Sequence, residues 1–249
     1  MLNTLGIVHA RVGVRGAKDQ VSRKLGGRSL LERVVRRVTD CQRLDGVAVV
    51  VGDSPEDEAI ARLVPHDVPV FVAKPHDELG RFVAAIEHFQ AQAVVRVYAD
   101  NPFVDPVFID RLVATALEHP RCDYISYCSG DGRPVILSSL GIFAEWCRSE
   151  ALRRAHREAT AAVDRDQVTR YLYCHPETFR LRLIPVPSEL DRDDLRLTVD
   201  QEEDWEHVHT LYDALGPDGL DWRRIADLLT RHPAVRERMA HLNRQHAEI

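Results

Sequence analysis

Residues 94–106 read VVRVYADNPFVDP. The run VVRVYA (94–99) is apolar or aromatic apart from Arg96, which predicts a strand buried on both faces, as in a parallel sheet. Asp100-Asn101-Pro102 ends that strand. Asp105-Pro106 then opens a helix, because Asp accepts hydrogen bonds from the free first-turn N–H groups and Pro has no N–H to lose there.

The same unit recurs toward the amino terminus. GVAVVVG (46–52) is an almost continuous β-branched stretch. Ser54, Pro55 and the acids Glu56, Asp57 and Glu58 after it form a helix start with negative charge at the positive dipole end. VPVFVA (68–73) predicts a strand followed by a helix over 77–90. LNTLGIVHA (2–10) predicts the first strand. The polar, Gly-containing segment 11–27 follows, and then the helix SLLERVVRRVTDC with Leu30, Leu31, Val34, Val35 and Val38 on one face. Repeated strand–helix alternation through residue 120 implies right-handed crossovers and a largely parallel sheet.

Beyond Pro120 the pattern changes. CDYISYC (122–128) and VILSSLGIF (135–143) flank the turn-rich SGDGRP and predict antiparallel or inserted strands. Helices are expected at 144–158 and 164–173, strands at 179–186 and 195–199, a helix at 201–214, and two weaker helices within 219–246. Trp146, Trp205 and Trp222 are read as packing residues on amphipathic helices. The expected fold class is α/β, a three-layer Rossmann-like sheet, mainly parallel, with an antiparallel or inserted second half. No internal repeat or linker interrupts the chain, so a single domain over 1–249 is expected.

Composition supports this reading. The chain has 249 residues, 45% hydrophobic and 29% charged, enough for a sizeable core and unlike disordered or fibrous proteins. No apolar run reaches the roughly 18 residues of a spanning helix, and MLNTLGIVHARVGV lacks a basic leader region. Five cysteines without a CxxC pair argue against a disulfide framework or structural zinc. A net charge of −6 gives no global attraction to nucleic acid. A cytoplasmic protein with no membrane and no nucleic-acid partner is expected.

Ligands of open parallel sheets bind beyond the carboxyl ends of the strands, so the segments leaving the strands are the ones to inspect. ARVGVRGAKDQVSRKLGG (10–27) carries glycines at 13, 16, 26 and 27 with Arg11, Arg15, Lys18, Arg23 and Lys24. Glycines let backbone N–H groups approach an anion and the cations add charge, so a triphosphate is the natural guest. A solvated basic loop explains the same composition. Neither GxxxxGK[ST] nor GxGxxG is present. Only three of the 33 basic residues are lysines, and two of those, Lys18 and Lys24, lie in this segment; a GC-rich genome also accounts for the arginine excess. Asp100 leaves one apolar strand and Asp200, in LRLTVDQEED (195–204), leaves another. Such carboxylates can hold Mg²⁺ against substrate phosphates, while an Asp that merely caps a turn reads the same. Glu202, Glu203 and Asp204 are read as dipole-compensating first-turn residues. His207 and His209, at i and i+2 on one helix, point to different faces and are not read as metal ligands.

Segments 10–38, 77–85 (DELGRFVAA), 94–113 (VVRVYADNPFVDPVFIDRLV), 164–173 (DRDQVTRYLY) and 195–215 (LRLTVDQEEDWEHVHTLYDAL) together resemble the cytidylyltransferases. That family includes spore-coat polysaccharide cytidylyltransferase-like proteins, with CMP-sugar-acid synthetases as cousins. The resemblance runs in order over residues 5–215. It implies a nucleotidyltransferase fold of the glycosyltransferase-A type, with CTP and Mg²⁺ reacting with a small acidic acceptor, a sugar acid or phosphonate, to release pyrophosphate. It further implies that Ala10, Arg11, Val12, Gly13, Asp53, Arg81 and Ala99 bind the nucleotide and that Asp100 and Asp200 hold the metal. Residues 1–120 would be the nucleotide half, 121–215 the acceptor and dimerisation half of a homodimer, and 216–249 a helical tail. Arg133, Arg165 and Arg170 fall in the half that shapes the acceptor pocket in relatives.

The segment after the first strand departs from the family pattern. Val14 stands where relatives have Ser or Thr, Lys18 where they have Pro, and Gln20 where they have a catalytic Lys. That lost charge is worth on the order of a few kcal/mol of transition-state stabilisation. Arg11, Arg15, Lys18 and Lys24 are the candidate catalytic cations, and Lys18 or Lys24 would replace the missing Lys. Other readings consistent with the residues are transfer of another nucleotide to a sugar phosphate, sugar-nucleotide glycosyl transfer, and a non-catalytic nucleotide-binding subunit.

Overall fold

The computed structural model describes residues 2–10, 20–74 and 77–247. Its first half holds β1 (Leu2–His9), the short strands β2 (Lys24–Leu25) and β3 (Arg28–Ser29), α1 (Leu30–Thr39), β4 (Gly46–Val51), α2 (Pro55–Ala61), β5 (Val70–Val72), α3 (Glu78–Phe89), β6 (Ala91–Tyr98) and α4 (Pro106–Glu118). Its second half holds β7 (Tyr124–Cys128), β8 (Glu145–Arg148), α5 (Ser149–Glu158), α6 (Ala162–Asp166), α7 (Arg170–Cys174), β9 (Leu181–Pro185), α8 (Glu202–Leu215), α9 (Trp222–Arg231) and α10 (Pro233–Ala247).

One seven-stranded sheet has the order β5-β4-β1-β6-β8-β7-β9. β1 pairs in parallel with β4 and β6, placing Ile7 between Ala48 and Arg96. β8 runs antiparallel to both β6 and β7, and β9 returns parallel to β7. The sheet is therefore mainly parallel with a reversed insertion, as expected.

Alternating strand side chains feed two cores. Val8, Val49, Val95 and Val97 join α1, α4, α8, α9 and α10 on one face. Leu5, Ile7, Val50 and Val94 join α3, α5 and α7 on the other. Side chains fix the helix starts. Ser29 accepts from the Glu32 N–H, Ser54 and Asp57 form a capping box, and Asp77 accepts from the Gly80 N–H.

Two expected strands are absent. Residues 135–143 contain one 3₁₀ turn (Val135–Leu137) and then irregular backbone. Pro134 and Gly141, the latter at φ +62°, break the extended path, while Ile142 and Phe143 are still buried. The strand forms one step later as β8, so Trp146 sits on a strand rather than on a helix, and α5 begins at Ser149. Residues 195–199 form no strand either. The Leu197 and Thr198 N–H groups donate to the Ser139 carbonyl and the Val199 N–H to that of Asp100, so this stretch bonds to loops instead of to a ladder. The helix expected over 164–173 is split into α6 and α7.

Candidate functional site

Strand direction gathers the candidates along one edge. β1, β4, β6, β7 and β9 all finish there, so the segments after His9, Val51, Tyr98, Cys128 and Pro185 rise from a common rim. The strand order reverses about β1, which lies between β4 and β6. The Ala99 N–H donates to the His9 carbonyl at 3.1 Å, setting the buried Ala10 and Ala99 side by side where β1 and β6 end.

Asp100 and Asp200 line the same cleft, a cavity of about 250 Å³ shared with Tyr98, Asn101, Ser138 and Gly141. Three features bring Asp200 there. The Val199 N–H bonds to the Asp100 carbonyl at 2.9 Å. Gly141 lets its loop press on Leu197, where an added Cβ would lie 2.7 Å from the Leu197 carbonyl carbon. Arg196, its side chain wholly enclosed, reaches Asp200 Oδ2 at 3.0 Å, and the Thr198 hydroxyl donates to the same oxygen. Arg196 also forks onto Asp204 at 2.6 and 2.9 Å and donates to Ser139 Oγ at 2.7 Å. Asp204 in turn accepts from the Asp200 and Gln201 N–H groups. It is thus a first-turn acid of α8, as expected, and also a buried anchor for the Asp200 turn.

A second cluster forms where β1 and β4 end. Gly52 is packed so tightly that a Cβ would lie 2.4 Å from Asp57 Oδ2 and 3.0 Å from an Arg81 guanidinium nitrogen. Arg81 bonds Glu78 at 3.1 Å, and Glu78 bonds the ring of His9. His9 stands edge-on to Phe82 and stacks on Tyr98, itself a wall of the cleft. Arg81 therefore meets the Gly52–Asp53 corner, with Asp53 exposed. Farther along the same face, Arg96 lies over the Tyr98 ring and bridges the fully buried Glu145. Burial and Glu145 push the Tyr124 hydroxyl well above its ordinary pKa.

Arg11, Val12, Gly13, Arg15 and Lys18 lie outside the described residues. Both flanks of their segment are defined. It leaves from Ala10 and returns at Gln20, which is partly buried with its Oε1 enclosed and without a hydrogen-bond partner among the described residues. Arg23 clasps Glu202 at the start of α8, with one bond of 2.8 Å, and lies over the Trp205 ring. That bond draws the Glu202 carboxyl below its usual pKa. Arg33 bonds the Leu25 carbonyl and Tyr212 of α8. Lys24 lies on β2 with its side chain exposed.

A larger cavity of about 710 Å³ adjoins the cleft, sharing Val135, Leu137 and Ser138 with it. The 129–134 loop and residues 191–194 complete its walls, and Asp191 clips the two together by accepting from the Gly130 N–H. Arg133 lies here, close to Asp131. Arg192 and Arg236 both bind Asp194. Arg165 and Arg170 do not line it. Arg165 bonds Asp77 and two carbonyls, and Arg170 pairs with Asp164. His207 lies within α8 beside a groove against α10, and burial lowers its pKa.

The donor set fits a small hard cation. Two carboxylates share one cleft, and Mg²⁺ is commonly bound through one or two carboxylates with substrate phosphates and water completing its shell. Among the described residues no group of three or more His, Cys, Asp or Glu is arranged around a metal, which leaves that completion to the substrate. No described helix is long and apolar enough to cross a membrane.

Comparison with known proteins matches residues 5–221 to the family described as "Cytidylyltransferase". The uncharacterized protein MJ1063 of Methanocaldococcus jannaschii is 30% identical over 236 residues, covering 94% of this chain and 93% of that protein. The spore coat polysaccharide biosynthesis protein SpsF of Bacillus subtilis is 28% identical, covering 96% of this chain and all of its own length. A solved structure of a cytidylyltransferase from Leptospira borgpetersenii superposes with a TM-score of 0.82 at 18% identity, covering 94% of this chain and 97% of that one.

Proposed function

Since the chain belongs to the cytidylyltransferase family, and so to the nucleotidyltransferases, we propose that it transfers CMP from CTP to a small acidic acceptor, with Mg²⁺ held by Asp100 and Asp200 and pyrophosphate released. The observation that carries this reading is the shared cleft of those two aspartates, brought from distant parts of the chain to the carboxyl rim of the sheet.

Roles follow position. The segment from Ala10 to Gly27 would hold the triphosphate, with Arg11, Arg15 and Lys18 or Lys24 supplying positive charge in place of the Lys absent at Gln20. The Gly52–Asp53 corner would seat the base, and the missing Cβ at Gly52 lets Arg81 and Asp57 pack directly behind that corner. When bound, Mg²⁺ supplies charge neutralisation at the phosphates. Asp200 is held in place by Arg196 and Thr198, so little reorganisation is needed when substrate arrives. The larger cavity would take the acceptor beside the α-phosphate, with Arg133 on its wall available to an acidic group. We read the chain as one catalytic unit of a cytoplasmic homodimer, with residues 121–215 as the acceptor and subunit-contact half.

Pyrophosphate release with each of the four nucleoside triphosphates, across sugar acids and phosphonates, tests the reading. Turnover with CTP alone is expected. Release with a different triphosphate would overturn it, and CTP binding without turnover would favour the nucleotide-binding subunit that Gln20 suggests.

A further inference from the structure

We infer that Asn101 binds the acceptor, its carboxamide oxygen receiving a hydrogen bond from the hydroxyl that attacks the α-phosphate. The inference rests on the cytidylyltransferase reading above and narrows it to acceptors that react through a hydroxyl.

Asn101 directly follows Asp100 and lines the cleft that Asp100 and Asp200 share. The residue is 3% exposed, and its Oδ1 is enclosed with no hydrogen-bond partner among the described residues. The turn does not need that side chain. Its backbone N–H donates to the Tyr98 carbonyl at 3.3 Å and its carbonyl accepts from the Val104 N–H at 3.1 Å, so main-chain bonds close the turn. A buried amide oxygen without a donor destabilises the fold, and such an atom calls for a partner. At the wall of a substrate cleft, that partner is a ligand.

The chemistry of the missing partner is restricted, because Oδ1 offers a lone pair and takes either a donated proton or a cation. Ionised phosphate groups offer neither, whereas the hydroxyl of the acceptor offers a proton; direct bonding to Mg²⁺ or to a hydroxyl of CTP is the alternative that the affinity measurements below separate. The larger cavity shares Val135, Leu137 and Ser138 with the cleft, so an acceptor seated there can extend a hydroxyl to Asn101. In the reaction the acceptor oxygen bonds to the α-phosphorus while the bond from that phosphorus to the bridging oxygen breaks. Pyrophosphate leaves with the bonding pair, and the hydroxyl proton passes to water. Asn101 is unchanged throughout and orients the attacking oxygen. A phosphonate attacking through an ionised phosphorus-bound oxygen gives Oδ1 nothing to accept.

The test compares wild type with Asn101→Leu, which keeps the volume without the amide, and Asn101→Asp, which keeps an oxygen at the same place. Pyrophosphate release is followed with CTP and either a panel of hydroxy sugar acids, including 3-deoxy-manno-octulosonate, or methylphosphonate. CTP and Mg²⁺ affinities are measured separately by calorimetry. The expected result is turnover with a hydroxy acid and none with methylphosphonate. Asn101→Leu should lose at least tenfold in kcat/KM for the hydroxy acid, with CTP affinity within twofold and a Tm equal to or above wild type. Asn101→Asp should outperform the Leu variant. Equal use of methylphosphonate would overturn the inference. So would an Asn101→Leu enzyme that keeps its hydroxy-acid rate, or one that loses CTP or Mg²⁺ affinity instead. A wild-type protein that binds no CTP would sink the parent reading rather than the assignment of Asn101.

Discussion

Arg196 exposes none of its side chain, yet it serves Asp200, Asp204 and Ser139 at once. Its fork onto Asp204 is a buried ion pair, and removing one partner of such a pair leaves a stranded charge. Arg196→Met is therefore expected to cost about 3–5 kcal/mol of stability, read as a lowered midpoint in urea unfolding. Arg196→Lys should recover little, because an ammonium cannot reproduce the planar fork. Asp100→Ala is the contrasting case. It should abolish CTP-dependent pyrophosphate release while Tm stays within a few degrees, and near-normal activity would refute a metal role. That Asp100 and Asp200 come to one rim is legible in the sequence, because each follows an apolar run and precedes a turn. Arg196 and Asp204 were not. One looked like a polar position in an alternating strand and the other like a first-turn acid, and only the fold sets them face to face without solvent.

At the scale of elements, the extended stretch 195–199 depends on close contact with the 139–141 loop. Gly141 has φ +62°, and its Cα faces the Leu197–Thr198 peptide. Gly141→Ala adds both backbone strain and a collision with main chain that cannot swing aside. We expect stability to fall and Asp200 to shift, with kcat down at least tenfold in the fraction that remains folded. The apolar run 135–143 misled because apolar content cannot tell a strand from a buried loop; burial was readable there and conformation was not. α8 offers a separate test through His207. Burial lowers its pKa, aided by Arg238 and Arg196 and opposed by Asp204 and Glu206. The folded state therefore binds the proton less readily than the unfolded chain. The stabilisation is complete above the unfolded value of about 6.5 and fades as pH falls through the depressed folded value. Urea midpoints measured from pH 7.5 down to 5 should decline, and His207→Phe should flatten that decline.

Across the whole molecule, the sheet takes β1, β4, β5 and β6 from the first half of the chain and β7, β8 and β9 from the second. β8 closes the seam by pairing with both β6 and β7. Helices α8 to α10 then return to cover the same core as α1 and α4. If residues 1–249 form one unit, far-UV ellipticity and tryptophan fluorescence should report a single coincident unfolding transition, since Trp146, Trp205 and Trp222 all belong to that core. Separate transitions would divide it. The parallel half could be read from sequence because strand and helix alternate with clear periods. In the second half the reversed insertion, β7, β9 and α8 could be read as well, whereas 135–143 and 195–199 could not, because buried loops resemble short strands.

The clasp between Arg23 and Glu202 has a mechanical consequence. It ties the exit of the glycine-bearing segment to the first turn of α8, and the peptide just before that turn bears Asp200. A tilt of this one helix would carry Arg23 and Asp200 in the same direction, so the two travel on a shared axle rather than on two independent hinges.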